Sequence, residues 1–170
     1  AIQAWATLGA NAPKLILAGG VRREEDRAYY RMCEKAIRRY GLKKKIEITG
    51  FVPKEKVSEY FREATLVLAP FRDTNGSGSL ATAIGYHSAI LASDHPLNRE
   101  IETRVPGAIT FFRSESPESL GEEVESLLGS SERRLDLRTG ARRYAESFSV
   151  EKIAELHRRF YEEVLKGETS

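Results

Sequence analysis

The chain is poor in several things at once. Cysteine occurs once, as Cys33, so no intrachain disulfide can form and the chain does not read as a stapled secreted scaffold. Cys33 falls in a helical pattern and reads as packing rather than as a nucleophile. Histidine occurs three times, at His87, His95 and His157, far apart and without the spacing of a metal-ligand set, so no metal is expected. No apolar run approaches the roughly 18 residues of a membrane span, and there is no signal-peptide pattern. Amides are scarce too: Gln3, Asn11, Asn75 and Asn98 are the whole set, while charged residues make up 31%. That balance fits a heat-adapted organism (a thermophile). Neither sign of charge dominates, since 27 basic residues face 25 acidic ones. The basic pairs, such as Arg38-Arg39 and Arg158-Arg159, sit beside acids on helical faces and read as an ion-paired surface rather than a nucleic-acid footprint. A reducing, cytoplasmic compartment follows from the lone cysteine.

What is present is an alternation of short apolar runs and amphipathic segments. The spacing predicts helices over 1–8, 23–40, 54–64, 79–87 and 116–128, and strands over 14–19, 45–49, 65–71, 89–93 and 109–113. Such β-α-β alternation predicts an α/β fold, a Rossmann-like parallel sheet with helices on both faces. The tail over 133–166 reads as helical. Val150, Ile153, Ala154, His157, Phe160, Tyr161, Val164 and Leu165 form one apolar stripe along it, with His157 as a packed core histidine and Ser149 as the helix cap. At 170 residues the chain is one domain or a large piece of one. It opens without Met in a helical pattern, as a piece of a longer protein would.

The most informative stretch is Thr65–Asp94. It reads as buried strand, Gly/Ser turn, small-residue helix and buried strand. The turn Asn75-Gly76-Ser77-Gly78 follows the carboxyl end of one strand and precedes a helix start, the place where open α/β sheets bind ligands. Unpaired N–H groups and a partial positive charge at a helix start favour an anion, most simply a phosphate. Glycine permits close approach, and Ser77 and Ser79 can cap the helix or donate to phosphate oxygens. A nicotinamide-binding fingerprint fails, because Ala18-Gly19-Gly20-Val21-Arg22-Arg23 lacks the required glycine spacing.

Taken in order, Leu15–Gly19, Ile46–Pro53 (IEITGFVP), Leu66–Pro70, the Gly/Ser turn and Ala89–Asp94 resemble the C-terminal, donor-binding domain of GT-B glycosyltransferases, above all retaining family 4. The resemblance spans nearly the whole chain. It implies a single nucleotide-sugar-binding domain over 1–170, a fragment of a two-domain enzyme. The substrate it implies is a UDP- or GDP-sugar, used without a further cofactor. The acceptor, a sugar or lipid-linked glycan, would be held by an N-terminal domain, with peripheral membrane contact as one option. It also assigns residues. Phe51, Val52 and Pro53 correspond to backbone at the nucleobase edge, Gly19 and Gly20 to the turn beside the diphosphate. Gly76, Ser77, Gly78 and Ser79, with Asn75, correspond to the loop and helix start around diphosphate and sugar.

The chain departs from that pattern at two acids. Counted back from Ala92-Ser93-Asp94, the family's ribose-binding Glu falls on Thr82 and its sugar-contacting Glu on Thr74, next to Asp73, a candidate stand-in for the latter in a catalytic role. A single hydroxyl cannot reproduce a bidentate carboxylate contact. A second reading is therefore a catalytically inactive binding or scaffold module on the same fold. The family's Arg and Lys that neutralise the diphosphate lie on a strand with no counterpart in these residues; Arg72 and Arg22 are the nearest basic substitutes. Either an upstream strand makes a sixth, or the strands over 14–19 and 65–71 pair directly and give five strands in the order 2-1-3-4-5.

Overall fold

The structure, a computed structural model, describes residues 1–21, 23–72 and 77–166. Helix α1 (Ile2–Leu8) leads into strand β1 (Leu15–Ala18), helix α2 (Arg27–Arg39) and strand β2 (Ile46–Gly50). Helix α3 (Lys54–Glu63), strand β3 (Val67–Ala69), helix α4 (Gly78–Gly85) and strand β4 (Ile90–Ser93) follow. Helix α5 (Pro96–Arg104), strand β5 (Thr110–Phe112) and helices α6 (Pro117–Gly129), α7 (Ser131–Ser147) and α8 (Val150–Lys166) complete the chain.

Every strand pair is parallel, as the alternation predicts. The central strand β4 is buried at all four residues, which is why ILAS reads as an apolar run without alternation. Its side chains divide between two cores. Leu91 joins the cluster beneath α1, α2 and α6, with Trp5, Ile37, Leu120, Val124 and Leu127. Ile90 and Ala92 join the opposite cluster, with Leu80, Ala83 and Ile84 of α4 and Tyr144 of α7. Helices thus cover both faces. Each fully buried Ile or Leu contributes about 1.5–3 kcal/mol of transfer free energy.

The sheet corrects the expected five-strand order. β1 pairs with β2 alone, β3, β4 and β5 form a separate three-stranded sheet, and no ladder joins β1 to β3 among the described residues. The N–H of Val67 donates to Ala89 O at 2.9 Å and extends the β3–β4 ladder, while the other edge of β3 has no strand partner among the described residues. Leu15 and Leu17 of β1 and Leu66 and Leu68 at β3 nevertheless pack into one apolar cluster. Among the described residues, side-chain packing rather than backbone pairing brings the two sheets together.

The tail is helical with Ser149 as a cap, as expected: α7 and α8 meet at Phe148–Ser149, and Ser149 Oγ accepts from the Lys152 N–H at 3.4 Å. The stripe along α8 differs from expectation. No α8 residue is buried. Leu156, Phe160, Tyr161, Val164 and Leu165 are exposed. His157 is exposed as well and is not a core histidine. The stripe has the right period but no partner among the described residues.

Helix α5 is a feature that hydrophobic periodicity missed. Its signals were local: Pro96 in the first turn and His95 at the cap, Nδ1 accepting from the Leu97 N–H at 3.4 Å. Asn98, fully buried, donates from Nδ2 to Ser93 O at 2.8 Å and ties α5 to the end of β4. Helix α7 docks by a backbone approach: a Cβ on Gly140 would lie 1.9 Å from Gly107 O.

Candidate functional site

The parallel strands end at one edge, and the loops leaving them hold the sequence-predicted positions. At the exit of β1, Gly19 has φ +145°, a conformation open to glycine, and its N–H donates to Thr49 Oγ1 at 3.2 Å. Thr49 Oγ1 in turn donates to Gly50 O at 2.9 Å. Gly20 lies so close to the β2 exit that a Cβ there would sit 3.0 Å from Phe51 N. Gly19 and Gly20 are thereby brought against Gly50 and Phe51. The Phe51 side chain stands 85% exposed, Val52 is half-buried, and Pro53 immediately precedes α3.

The exit of β3 leads to α4. Ser77 caps that helix: its Oγ accepts from the Leu80 N–H at 3.1 Å and lies 3.0 Å from Ser79 Oγ. One first-turn amide is thus taken by the protein itself. The N–H groups of Gly78 and Ser79 have no acceptor among the described residues, and no acid sits in the first turn to offset the helix dipole. Thr82 Oγ1 donates to Gly78 O at 2.7 Å, so its hydrogen is spent inside the helix. Asp73, Thr74, Asn75 and Gly76, together with Arg22, lie outside the described residues.

Two residues at the end of β4 pin the neighbouring loop stems. Ser93 Oγ donates to Phe71 O at 2.5 Å, and Ser114 Oγ donates to Asp94 O at 2.7 Å. The Asp94 carboxylate accepts from Arg99 Nε at 2.5 Å and Nη2 at 2.6 Å, and the Arg99 guanidinium lies over the Phe111 ring. Beyond the pinned stems, Arg72 Nε stands 3.4 Å from Glu115 Oε1. Glu115 has φ +59° in a turn closed by the Ser116 N–H on Arg113 O at 3.1 Å. A non-glycine residue in that region costs about 1 kcal/mol, while an exposed ion pair returns about 0–1 kcal/mol. The ion pair at most offsets the cost of the turn.

A cavity of about 440 Å³ opens beside α4, lined by Leu80, Ile84, Leu97, Ile101, Tyr144 and Phe148 among others. It is mainly apolar and includes Ser77 as its single sequence-predicted residue. A diphosphate would be poorly solvated there, so the helix start and not this cavity is the anion-binding candidate. Among the described residues, no three of His, Cys, Asp and Glu cluster as metal ligands, and no helix is long and apolar enough to cross a membrane.

Parallel strands covered by helices, with loops gathered at the carboxyl edge around a capped helix start, define a Rossmann-like α/β domain. Solved structures share this fold. HepE from Anabaena in complex with UDP superposes with TM-score 0.83 at 15% identity, over 95% of this chain and 43% of that one. Sucrose-phosphate synthase from Thermosynechococcus elongatus gives TM-score 0.80 at 18% identity, over 98% and 42%. The C-terminal domain of the group 1 glycosyl transferase LpcC from Francisella tularensis gives 0.73 at 16% identity, over 86% and 76%. The chain thus spans less than half the length of the first two. No curated protein matches it. Residues 1–144 match the family model of glycosyl transferases group 1, and the chain belongs to that family.

Proposed function

We propose that the chain is the donor-binding domain of a retaining, family-4-like glycosyltransferase that takes a nucleotide-diphospho-sugar, such as a UDP- or GDP-sugar. The observation that carries this reading is the start of α4. The N–H groups of Gly78 and Ser79, free of acceptors among the described residues, and the Ser77–Ser79 hydroxyl pair lie at the carboxyl edge with no acid in the first turn. Such a group of donors suits a diphosphate, and it suits the charge that builds on the leaving group as the sugar departs. Gly19, Gly20 and Phe51 to Pro53 would take the far end of the nucleotide. Asn75 and Gly76 belong to the same proposed cradle, with Thr74, Asp73 and Thr82 nearest the sugar and ribose. HepE has been solved with UDP-glucose, which supports the substrate class for this chain by likeness of fold. Acceptor binding, of a sugar or lipid-linked glycan, falls in this reading to a part of the protein outside these residues, working in the cytoplasm or at a membrane surface. The 170 residues alone would not turn over.

The rival reading, a binding or scaffold module without the reaction, draws on one observation. Thr82 spends its hydroxyl hydrogen on Gly78 O and brings no carboxylate to a ribose. Calorimetry with UDP-glucose and GDP-mannose on the full-length protein, followed by a transfer assay, separates the two. Binding and transfer support the enzyme. Binding without transfer supports the module, and silence at millimolar ligand removes the nucleotide-sugar reading.

A further inference from the structure

Arg72 and Glu115 leave the two strands that flank β4, so their ion pair arches over the carboxyl end of β4. Both ends of the arch are anchored at adjacent residues, Ser93 at the end of β4 and Asp94 just after it. Phe71 O accepts from Ser93 Oγ, and Ser114 Oγ donates to Asp94 O. The arch therefore stands at a fixed place in the ligand-binding edge, although both side chains are exposed, at 80% and 68%. Glu115 occupies the positive-φ position of its turn, which glycine fills without strain. The closest approach of its carboxylate is to Arg72 Nε, and among the described residues no hydrogen bond is made by the guanidinium's terminal nitrogens. The terminal nitrogens of a guanidinium form a fork that matches the oxygens of a phosphate.

We propose that Arg72 is a phosphate-binding residue of this edge and that Glu115 is its positioning residue. Glu115 holds Nε so that Nη1 and Nη2 face the diphosphate brought by the donor. The inference rests on the donor-binding reading above, which supplies the diphosphate. It adds a cation to a cradle otherwise built from amides and hydroxyls, and it assigns a function to a glutamate that local stability does not favour.

The test is calorimetry on the full-length protein with UDP, GDP and ADP. The nucleotide that binds is then compared with its nucleoside in Arg72→Ala, Arg72→Lys, Glu115→Gln and Glu115→Gly. Arg72→Ala is expected to weaken the diphosphate about tenfold or more, through loss of a charge-assisted contact, and to leave the nucleoside unchanged. Arg72→Lys keeps the charge but loses the fork and should recover only part of that loss. Glu115→Gly relieves the strained turn, so its melting temperature should hold or rise while diphosphate affinity falls about threefold. Glu115→Gln should fall similarly. Unchanged diphosphate binding in Arg72→Ala overturns the inference and leaves the donor reading intact. A loss in Arg72→Ala with full affinity in both Glu115 variants removes the positioning role. If no nucleotide binds the wild-type protein at millimolar concentration, the donor reading falls and the inference falls with it.

Discussion

Gly140 and Gly107 touch backbone to backbone: a Cβ added to Gly140 would lie 1.9 Å from Gly107 O and 2.7 Å from Ala108 N. Neither atom belongs to a flexible side chain, so the neighbours cannot yield without moving the loop that feeds β5. Gly140→Ala is expected to destabilise the fold by about 3 kcal/mol, at the upper end for overpacking. Urea denaturation reads this directly. A loss below about 0.5 kcal/mol would show that α7 docks differently. Gly129, with open space around its Cβ position, serves as the control.

Ser77 holds the start of α4 through its bond to the Leu80 N–H. Ser77→Ala should cost about 1 kcal/mol and Ser77→Gly only a few tenths, the usual ranking at a cap. Thermal melts of the two variants side by side give the comparison. Equal losses would mean that Ser77 is not acting as a cap.

Trp5 is the sole tryptophan, and its Nε1 donates to Pro13 O at 2.8 Å from a buried site. Fluorescence emission should be blue-shifted in the folded protein and move red on unfolding. Trp5→Phe keeps an aromatic ring but leaves Pro13 O unpaired and the pocket underfilled. A loss of about 2 kcal/mol is expected from denaturant curves followed by circular dichroism.

Helix α8 carries an acid-sensitive ion network. Hydrogen bonds from Arg158, and then from Arg159, bring the Glu155 carboxyl down to about 2 from an ordinary 4.5. A carboxylate with a depressed folded-state value supports the folded form above 4.5, and that support is lost as pH falls towards 2. Helicity should therefore decline through that window, and Glu155→Gln should flatten that decline. High salt should shrink the effect, since all the partners are exposed. Circular dichroism between pH 7 and pH 2 makes the measurement.

Much of the fold was legible because burial enforces it. The run Ile90–Ser93 was legible as strand because a short apolar run without alternation, set between turn signals, fits a strand covered on both faces. The Ser77 cap was legible because it depends on neighbours in the chain. Helix α5 escaped because its anchor, Asn98 on Ser93 O, is polar and leaves no apolar stripe. The pairing of β1 escaped for a different reason. Leu15 and Leu68 share a core whether or not their strands share hydrogen bonds, so apolar pattern alone does not decide the ladder. The same holds for α8, where period specifies a face but not what meets it. In the candidate site, the glycine positions at 19 and 20 were readable from the sequence. The Arg72–Glu115 arch was not, because it joins residues far apart along the chain through a turn conformation that no side-chain pattern announces.

The interruption between β1 and β3 has a mechanical meaning. Among the described residues no backbone ladder joins the β1–β2 sheet, whose exits bear Gly19, Gly20 and Phe51, to the β3–β4–β5 sheet, which leads to Ser77 and Ser79; Leu15, Leu17, Leu66 and Leu68 pack between them. A nucleotide sugar laid across both would add polar contacts to that apolar seam. Its arrival would then be felt as stiffening of the whole body, with amide exchange slowing on both sides of the seam rather than at the contact points only.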